Sequence, residues 1–440
     1  MKTVGMISLG CSKNRVDSEM MLGMLREAGY RIVARPAEAE IIIVNTCGFI
    51  LSAKEESIDT ILEMAEYKKT GRCRLLVVTG CLAQRYADDL LGGIPEIDLL
   101  MGVSSYENLI GAIDSALQGS RPALTGEGNR FICGPRVLTT PAYSAYVKIS
   151  DGCSNRCTYC AIPLIRGGYR SRPFDEIVAE CRTLAGGGVT ELTLIAQDTS
   201  RYGNDFPEGT LLLPRLLRAI HGLDALRWLR VLYCYPDTVN EELLDAIATL
   251  PKACRYLDLP LQHVNDRMLR RMNRRGSQAL IRRLVKDCRD RDIVMRTTLM
   301  VGFPGESEAE YEEMLAFMEE AQFDRLGAFA FSPEEGTPAA GMPDQIDEDV
   351  KQERLDRLML AQQAISARLM KRRIGETGEV LVEGFRRGRY YGRSRLEAPE
   401  IDGKVLFSAQ KKLTPGDYVP VRITDASEYD LIGEAVETTC

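Results

Sequence analysis

The sequence predicts a three-part α/β protein: an N-terminal parallel α/β domain, a central partial (β/α) barrel and a small C-terminal antiparallel β-barrel. Three observations predict it. Apolar runs alternate with helical periodicity through residues 1–120 and again through 136–371, the pattern of buried parallel strands covered by helices. Short alternating strands parted by turn residues fill 374–440. Cysteines recur where the strands of the first two parts end.

In the first part, residues 4–9, 41–44 and 75–79 read as parallel strands, and 18–27 and 53–67 as helices. Residues 118–135 are rich in Gly and Pro and read as a linker. In the second part, strands are expected at 145–149, 191–196, 229–232, 255–258, 294–301 and 325–329. Helical patterns such as 175–184, 211–220 and 307–320 separate them. Six β/α units predict a partial or complete barrel with its chemistry at the carboxyl ends of the strands. Residues 347–373 read as one long amphipathic helix leaving it. In the third part, strands are expected at 379–383, 405–407, 418–424 and 431–436.

The chain has 440 residues, 45% hydrophobic and 27% charged, with no apolar run long enough to cross a membrane. Its start leads straight into a strand pattern without a signal-peptide core, so a cytoplasmic protein is expected. A formal net charge of −7 argues against broad, non-specific nucleic-acid binding. Thirteen cysteines in a reducing compartment point to metal ligation rather than disulfides. Only two histidines, His221 and His263, leave few candidates for acid–base catalysis and nearly exclude a mixed Cys/His zinc site.

The strongest motif is Cys153-Ser154-Asn155-Arg156-Cys157-Thr158-Tyr159-Cys160, directly after the first barrel strand. One short loop with three thiols can wrap three corners of a four-iron cluster and leave one iron open. Zinc is the competing reading, and it would want a fourth ligand that no nearby Cys or His supplies. Cys11, Cys47 and Cys81 form a second set, each following an apolar strand, about one β/α repeat apart. If the three strands are neighbours, their carboxyl ends bring these thiols to one edge, where α/β sheets bind ligands. Three buried packing thiols are the plain alternative. Cys73, Cys133, Cys181, Cys234, Cys254, Cys288 and Cys440 show no pattern and read as packing or incidental thiols.

The Cys-x3-Cys-x2-Cys spacing with Tyr159 before its last cysteine resembles the defining motif of the radical S-adenosylmethionine (SAM) superfamily. That resemblance implies that the open iron chelates SAM and that the cluster cleaves it to a 5′-deoxyadenosyl radical. It also suggests SAM contacts at Tyr159, at Gln197 after the second strand and at Gln262 and His263 after the fourth. Gly302, Phe303 and Pro304 after the fifth would lie beside the adenine. Each of these segments is equally readable as an ordinary strand-to-helix turn, and His263 as a hydrogen-bonded structural residue.

Gly10-Cys11-Ser12-Lys13-Asn14-Arg15-Val16-Asp17-Ser18-Glu19, Asn45-Thr46-Cys47-Gly48-Phe49-Ile50 and Thr79-Gly80-Cys81 resemble the N-terminal domain of the methylthiotransferase family. The order of that domain, a radical SAM barrel and a C-terminal TRAM domain, an OB-like barrel, matches across essentially the whole chain. The resemblance implies two 4Fe–4S clusters, one at Cys153, Cys157 and Cys160 and one at Cys11, Cys47 and Cys81, the second holding or delivering the inserted sulfur. SAM would be both methyl donor and radical source.

Two branches of the family compete. Residues 48–57, 161–172, 196–199 and 331–337 resemble the branch that methylthiolates the β-carbon of an aspartate in ribosomal protein uS12. The other branch modifies a tRNA adenosine. A cluster-storing sensor or scaffold without turnover is the non-enzymatic rival. Residues 371–440 carry twelve Lys/Arg and twelve Asp/Glu, a net charge of zero, which does not favour RNA. Yet Arg386, Arg387, Arg389, Arg393 and Arg395 flank Tyr390 and Tyr391, a composition that can contact nucleic acid or an acidic protein surface. A solvated hairpin is the plain alternative. The sulfur donor and the electron donor are not identifiable from sequence.

Overall fold

The computed structural model of the chain describes residues 1–126, 131 and 134–436, so Cys133 and Cys440 lie outside the described residues. The first domain is one parallel sheet of six strands: β1 Thr3–Ser8, β2 Arg31–Ile32, β3 Ile41–Thr46, β4 Leu75–Gly80, β5 Leu99–Met101 and β6 Ala123–Leu124. Their order is β2-β1-β3-β4-β5-β6, doubly wound with its switch point between β1 and β3. Ile42, Val44, Leu76 and Val78 pack on Ile61, Met64 and Leu82 on one face. Ile41, Ile43, Leu75 and Val77 pack on Met21, Leu25, Leu109 and Ile113 on the other. Burial on both faces is why these strands are unbroken apolar runs.

Two details differ from expectation. The first helix runs from Ser12 to Glu27, because extended Cys11 is already its N-cap. The region read as a linker contributes β6, whose two residues are too short to show periodicity.

The central domain contains β7 Ser144–Lys148, β8 Ser150–Asp151, β9 Arg170–Ser171, β10 Glu191–Ile195, β11 Trp228–Val231, β12 Tyr256–Asp258, β13 Val294–Val301 and β14 Arg325–Ala330. Two parallel sheets, β7-β10-β11 and β12-β13-β14, meet through one bridge between Leu229 and Ala253. β8 and β9 form a small antiparallel clasp beside them. The six long strands make a partial barrel. Ala145, Val147, Leu192, Leu194, Leu257 and Met295 face the outer helices in a continuous core. The helix Glu348–Arg372 closes the domain, its Gln362 donating to the carbonyl of Phe323.

The third domain is a closed barrel of β15 Thr377–Arg386, β16 Arg389–Ser394, β17 Val405–Ser408, β18 Tyr418–Ala426 and β19 Leu431–Ala435. It is antiparallel except for the β17–β19 pair, which is parallel. Val380, Val382, Phe407, Val421 and Ile423 fill it. The connection after β16 enters the face of the central sheets opposite the helices. There Arg393 pairs with Glu191 at 2.6 Å, Glu397 with Arg325 at 3.2 Å, and Asp402 accepts from the hydroxyl of Tyr256 at 2.7 Å. Arg393 is only 1% exposed and is therefore removed from the expected arginine surface; Arg386, Arg387 and Arg389 remain exposed.

Candidate active site at two cysteine triads

β1, β3 and β4 are neighbours, as the dispersed cysteines require. Pairing of Ser8 with Asn45 and of Thr46 with Gly80 sets their carboxyl ends at one edge, where Cys11, Cys47 and Cys81 follow. Gly10 has φ +83°, and a Cβ there would lie 2.9 Å from the Cys47 sulfur. Glycine therefore lets the two cysteine loops touch. Asn14 donates to the carbonyls of Leu9 (3.1 Å) and Thr46 (2.9 Å) and so ties the two strand ends together. The hydroxyl of Ser57 accepts from the backbone N–H of Cys47 and donates to its carbonyl.

The second triad lies beyond β8. The N–H of Cys153 donates to the carbonyl of Gly167 at 3.1 Å. Gly152, with φ +73°, comes so close to this segment that a Cβ would stand 2.1 Å from the carbonyl of Gly168. Thr158 donates through its N–H to Met272 and accepts from Ala339, which anchors the loop to two other connections. The hydroxyl of Tyr235 lies 3.6 Å from the Cys157 sulfur. The buried guanidinium of Arg274 lies 3.7 Å from that sulfur, 3.0 Å from the Tyr159 hydroxyl and 4.3 Å from the centre of the Tyr235 ring. Sequence reading missed both Arg274 and Tyr235. Arg274 sits in a run of arginines that offers no way to tell it from its neighbours.

Burial pushes the Cys153 thiol up to about 11 and the Cys160 and Cys81 thiols up to about 12, and it raises Cys47 as well. Neighbouring thiolates add to this: Cys157 and Cys153 raise Cys160, and Cys11 and Cys47 raise Cys81. Crowded thiols that resist ionisation are stabilised as thiolates by a metal. Among the described residues no three Cys, His, Asp or Glu close on a single ion. Three thiols sharing a multi-iron cluster need not converge as they would around one ion.

The surroundings of the two triads meet at a domain interface. Arg166 donates to Asp151 at 3.1 Å, to Asp17 at 3.0 Å, to Asn14 at 2.7 Å and to the Cys81 sulfur at 3.8 Å. Lys148 pairs with Asp17 and with Asp151. Two acids and two bases thus balance in a buried network spanning both domains. Burial alone would raise the Asp151 carboxyl, but Lys148 and Arg166 outweigh it and hold the group well below the usual range.

The expected SAM contacts fare unevenly. Gln197 and Gln262 each carry a buried side-chain carbonyl oxygen without a partner among the described residues. Gln262 also holds a left-handed backbone, φ 69°, pinned by its N–H to Thr298. Such strain in a non-glycine residue marks functional sites. Tyr159 meets Phe303 edge-on at 6.4 Å between ring centres. Pro304 offers its carbonyl to Arg271. Gly302 has φ +69°, and a Cβ built there would lie 2.3 Å from the Lys351 side chain, so the turn after β13 requires glycine. His263 is anchored within the protein at both ring nitrogens. Its Nδ1 accepts from the N–H groups of Val264 and Asn265, and its Nε2 faces Glu306 at 3.2 Å. Fully buried, it is a structural histidine.

Three family matches cover the chain in order. Residues 3–102 match the uncharacterized protein family UPF0004, 147–318 the radical SAM superfamily and 374–436 the TRAM domain. The ribosomal protein uS12 methylthiotransferase RimO of Caldicellulosiruptor saccharolyticus is 47% identical over 99% of this chain and 100% of its own length. The protein of that name from Pelotomaculum thermopropionicum is 50% identical over 98% of this chain and 99% of its own. The chain belongs to the RimO family.

Solved structures share the fold at low identity. The radical S-adenosylmethionine methyltransferase TsrM from Kitasatospora setae, with cobalamin and a 4Fe–4S cluster bound, superposes with a TM-score of 0.57 at 16% identity, covering 77% of each chain. The cobalamin-dependent radical enzyme OxsB reaches 0.55 at 13% identity over 82% of this chain and 56% of its own. Membership of the RimO and radical SAM families implies SAM and 4Fe–4S clusters. The residues fit that demand: each triad supplies three buried or half-buried thiols except at exposed Cys11, and the orphaned oxygens of Gln197 and Gln262 are acceptors awaiting a donor.

Proposed function

We propose that the chain is a radical SAM methylthiotransferase acting on the β-carbon of an aspartate in ribosomal protein uS12. The observation that carries this reading is the Arg166 network. It joins Cys81, at the edge carrying the first triad, to Asp151, two residues before Cys153, across one buried interface. A reaction that abstracts hydrogen and inserts sulfur at one carbon needs two such centres side by side.

Cys153, Cys157 and Cys160 would hold the SAM-binding cluster, and Cys11, Cys47 and Cys81 the cluster that presents sulfur. When bound, these groups and SAM supply electron transfer, a hydrogen-abstracting radical, sulfur and a methyl group. The chain's own residues do the positioning. The oxygens of Gln197 and Gln262 can accept from the SAM ammonium, and the edge-on contact with Phe303 fixes the Tyr159 ring beside the cluster loop. Arg274 places a fixed positive charge beside Cys157, and Arg166 does so beside Cys81. His263 is not free to act as a general base, since protein groups hold both its ring nitrogens. The exposed tip between β15 and β16, with Phe385 beside Arg386, Arg387 and Arg389, suits contact with nucleic acid when the substrate is part of a ribosomal particle.

Mass spectrometry after anaerobic turnover tests the reading. The reconstituted enzyme receives SAM, sulfide, a reductant and either uS12 or unmodified tRNA. A methylthio gain on one uS12 aspartate is expected. A gain on tRNA adenosine instead would move the chain to the tRNA branch.

A further inference from the structure

Lys13 stands two residues after Cys11 and is only 6% exposed. Its ammonium lies over the ring of Tyr233, 2.8 Å from the ring centre. Among the described residues no carboxylate comes within ion-pair distance of it, although every other buried lysine or arginine there except Arg274 has such a partner. Arg274 is satisfied by a phenol, a carbonyl and a thiol; Lys13 has only the ring. A buried, uncompensated ammonium is costly, so its retention calls for an explanation.

Its surroundings supply one. Tyr233 follows β11 at the carboxyl end of the barrel and is held in a left-handed conformation, φ 65°. Its N–H donates to Asp258 at 3.0 Å and its carbonyl accepts from Thr199 at 2.8 Å, so the strain is fixed from both sides. Two residues on, the Tyr235 hydroxyl lies beside Cys157. Lys13 therefore reaches from the edge that carries the first triad to the connection that contacts the second.

We infer that Lys13 receives the side-chain carboxylate of the substrate aspartate, so that the neighbouring β-carbon is held between the triads. This rests on the proposed uS12 reading and deepens it. The ammonium keeps donors free for a carboxylate while the ring stabilises its charge before substrate arrives. Adenine offers no such anion.

The test is a cycle with holoenzyme and two forms of uS12, the second with the target aspartate changed to asparagine. Wild-type enzyme is expected to bind the asparagine form at least about tenfold more weakly. Lys13→Met should raise KM for normal uS12 by a similar factor, with cluster content unchanged, and should lose the discrimination between the two forms. Lys13→Arg should restore part of it. Equal binding of both substrates by wild-type enzyme would overturn the assignment without any variant, and so would undiminished discrimination in Lys13→Met. Weakened tRNA binding with uS12 binding intact would overturn it in favour of a phosphate. If wild-type enzyme modifies no uS12 at all, the functional reading itself falls, a result distinguishable from the others.

Discussion

The guanidinium of Arg166 lies 3.8 Å from the Cys81 sulfur of the first domain and 3.1 Å from Asp151 of the central domain. Asp151 is two residues before Cys153, so one side chain touches the surroundings of both triads. Changing Arg166→Met leaves Asp17 and Asp151 buried with Lys148 alone. Loss of about 3–5 kcal/mol of stability is expected from the unpaired charge. Iron content should fall preferentially at the first-domain site. Thermal unfolding and iron analysis check this; full iron loading with unchanged stability would refute it.

Arg274 presents its charge to Cys157 from a buried position. A nearby cation favours the more negative, reduced state of a cluster. Arg274→Met should lower the midpoint potential of the SAM-site cluster by on the order of 50 mV, equivalent to about 1 kcal/mol for one electron. A redox titration followed by electron paramagnetic resonance reads it directly. A shift to higher potential would contradict the account.

The two triads should separate by function. Replacing Cys153, Cys157 or Cys160 with Ala is expected to abolish SAM cleavage. Cys11→Ala should stop methylthio insertion while leaving uncoupled SAM cleavage. Chromatographic assay of 5′-deoxyadenosine beside mass analysis of uS12 distinguishes these outcomes, and retained cleavage in any of the first three variants would break the assignment.

Docking of the third domain should be acid-sensitive. Burial tends to raise the Glu191 carboxyl, but Arg393 outweighs it and holds the group at about 2, below its ordinary 4.5. Arg373 and Arg325 do the same for buried Glu397, also at about 2. A lowered carboxyl pKa stabilises the fold above the ordinary value, and that contribution is lost as pH falls. Stability should therefore decline from about pH 4.5 to about pH 2. Arg393→Met should cost about 3–5 kcal/mol at neutral pH and remove Glu191's share of this acid dependence. Unfolding followed against pH for both proteins measures it.

Exposure at the tip of β15 and β16 has a simpler consequence. Replacing Arg386, Arg387 and Arg389 together should leave stability within about 0.5 kcal/mol, as surface changes do. Binding to a small-subunit particle should weaken and lose part of its salt dependence. A salt series on wild type and variant tests this.

Much of the molecule was legible in the sequence because its signals are local. Strands buried on both faces are apolar without interruption, as at residues 41–44 and 75–79, and a cysteine loop is a contiguous motif, as at Cys153, Cys157 and Cys160. Even Cys11, Cys47 and Cys81 were predictable as a set, because one cysteine per β/α repeat implies one sheet edge if the strands are adjacent. Sequence alone could not supply that adjacency; the pairing of β1, β3 and β4 did.

Tertiary structure decided whatever depends on partners far apart along the chain. Arg166 with Asn14, Lys13 with Tyr233 and Arg393 with Glu191 are each separated by more than a hundred residues. No periodicity records such meetings. His263 and Gly302 show the same limit from the other side. Their motif reads equally as a ligand contact or as a plain turn, and only the folded chain sets Glu306 beside His263 and Lys351 beside Gly302. Hydrophobic pattern and ligand spacing are properties of short segments, so sequence sets them. The charge balance of a buried site is a sum over every segment packed against it, and only the folded chain fixes that sum.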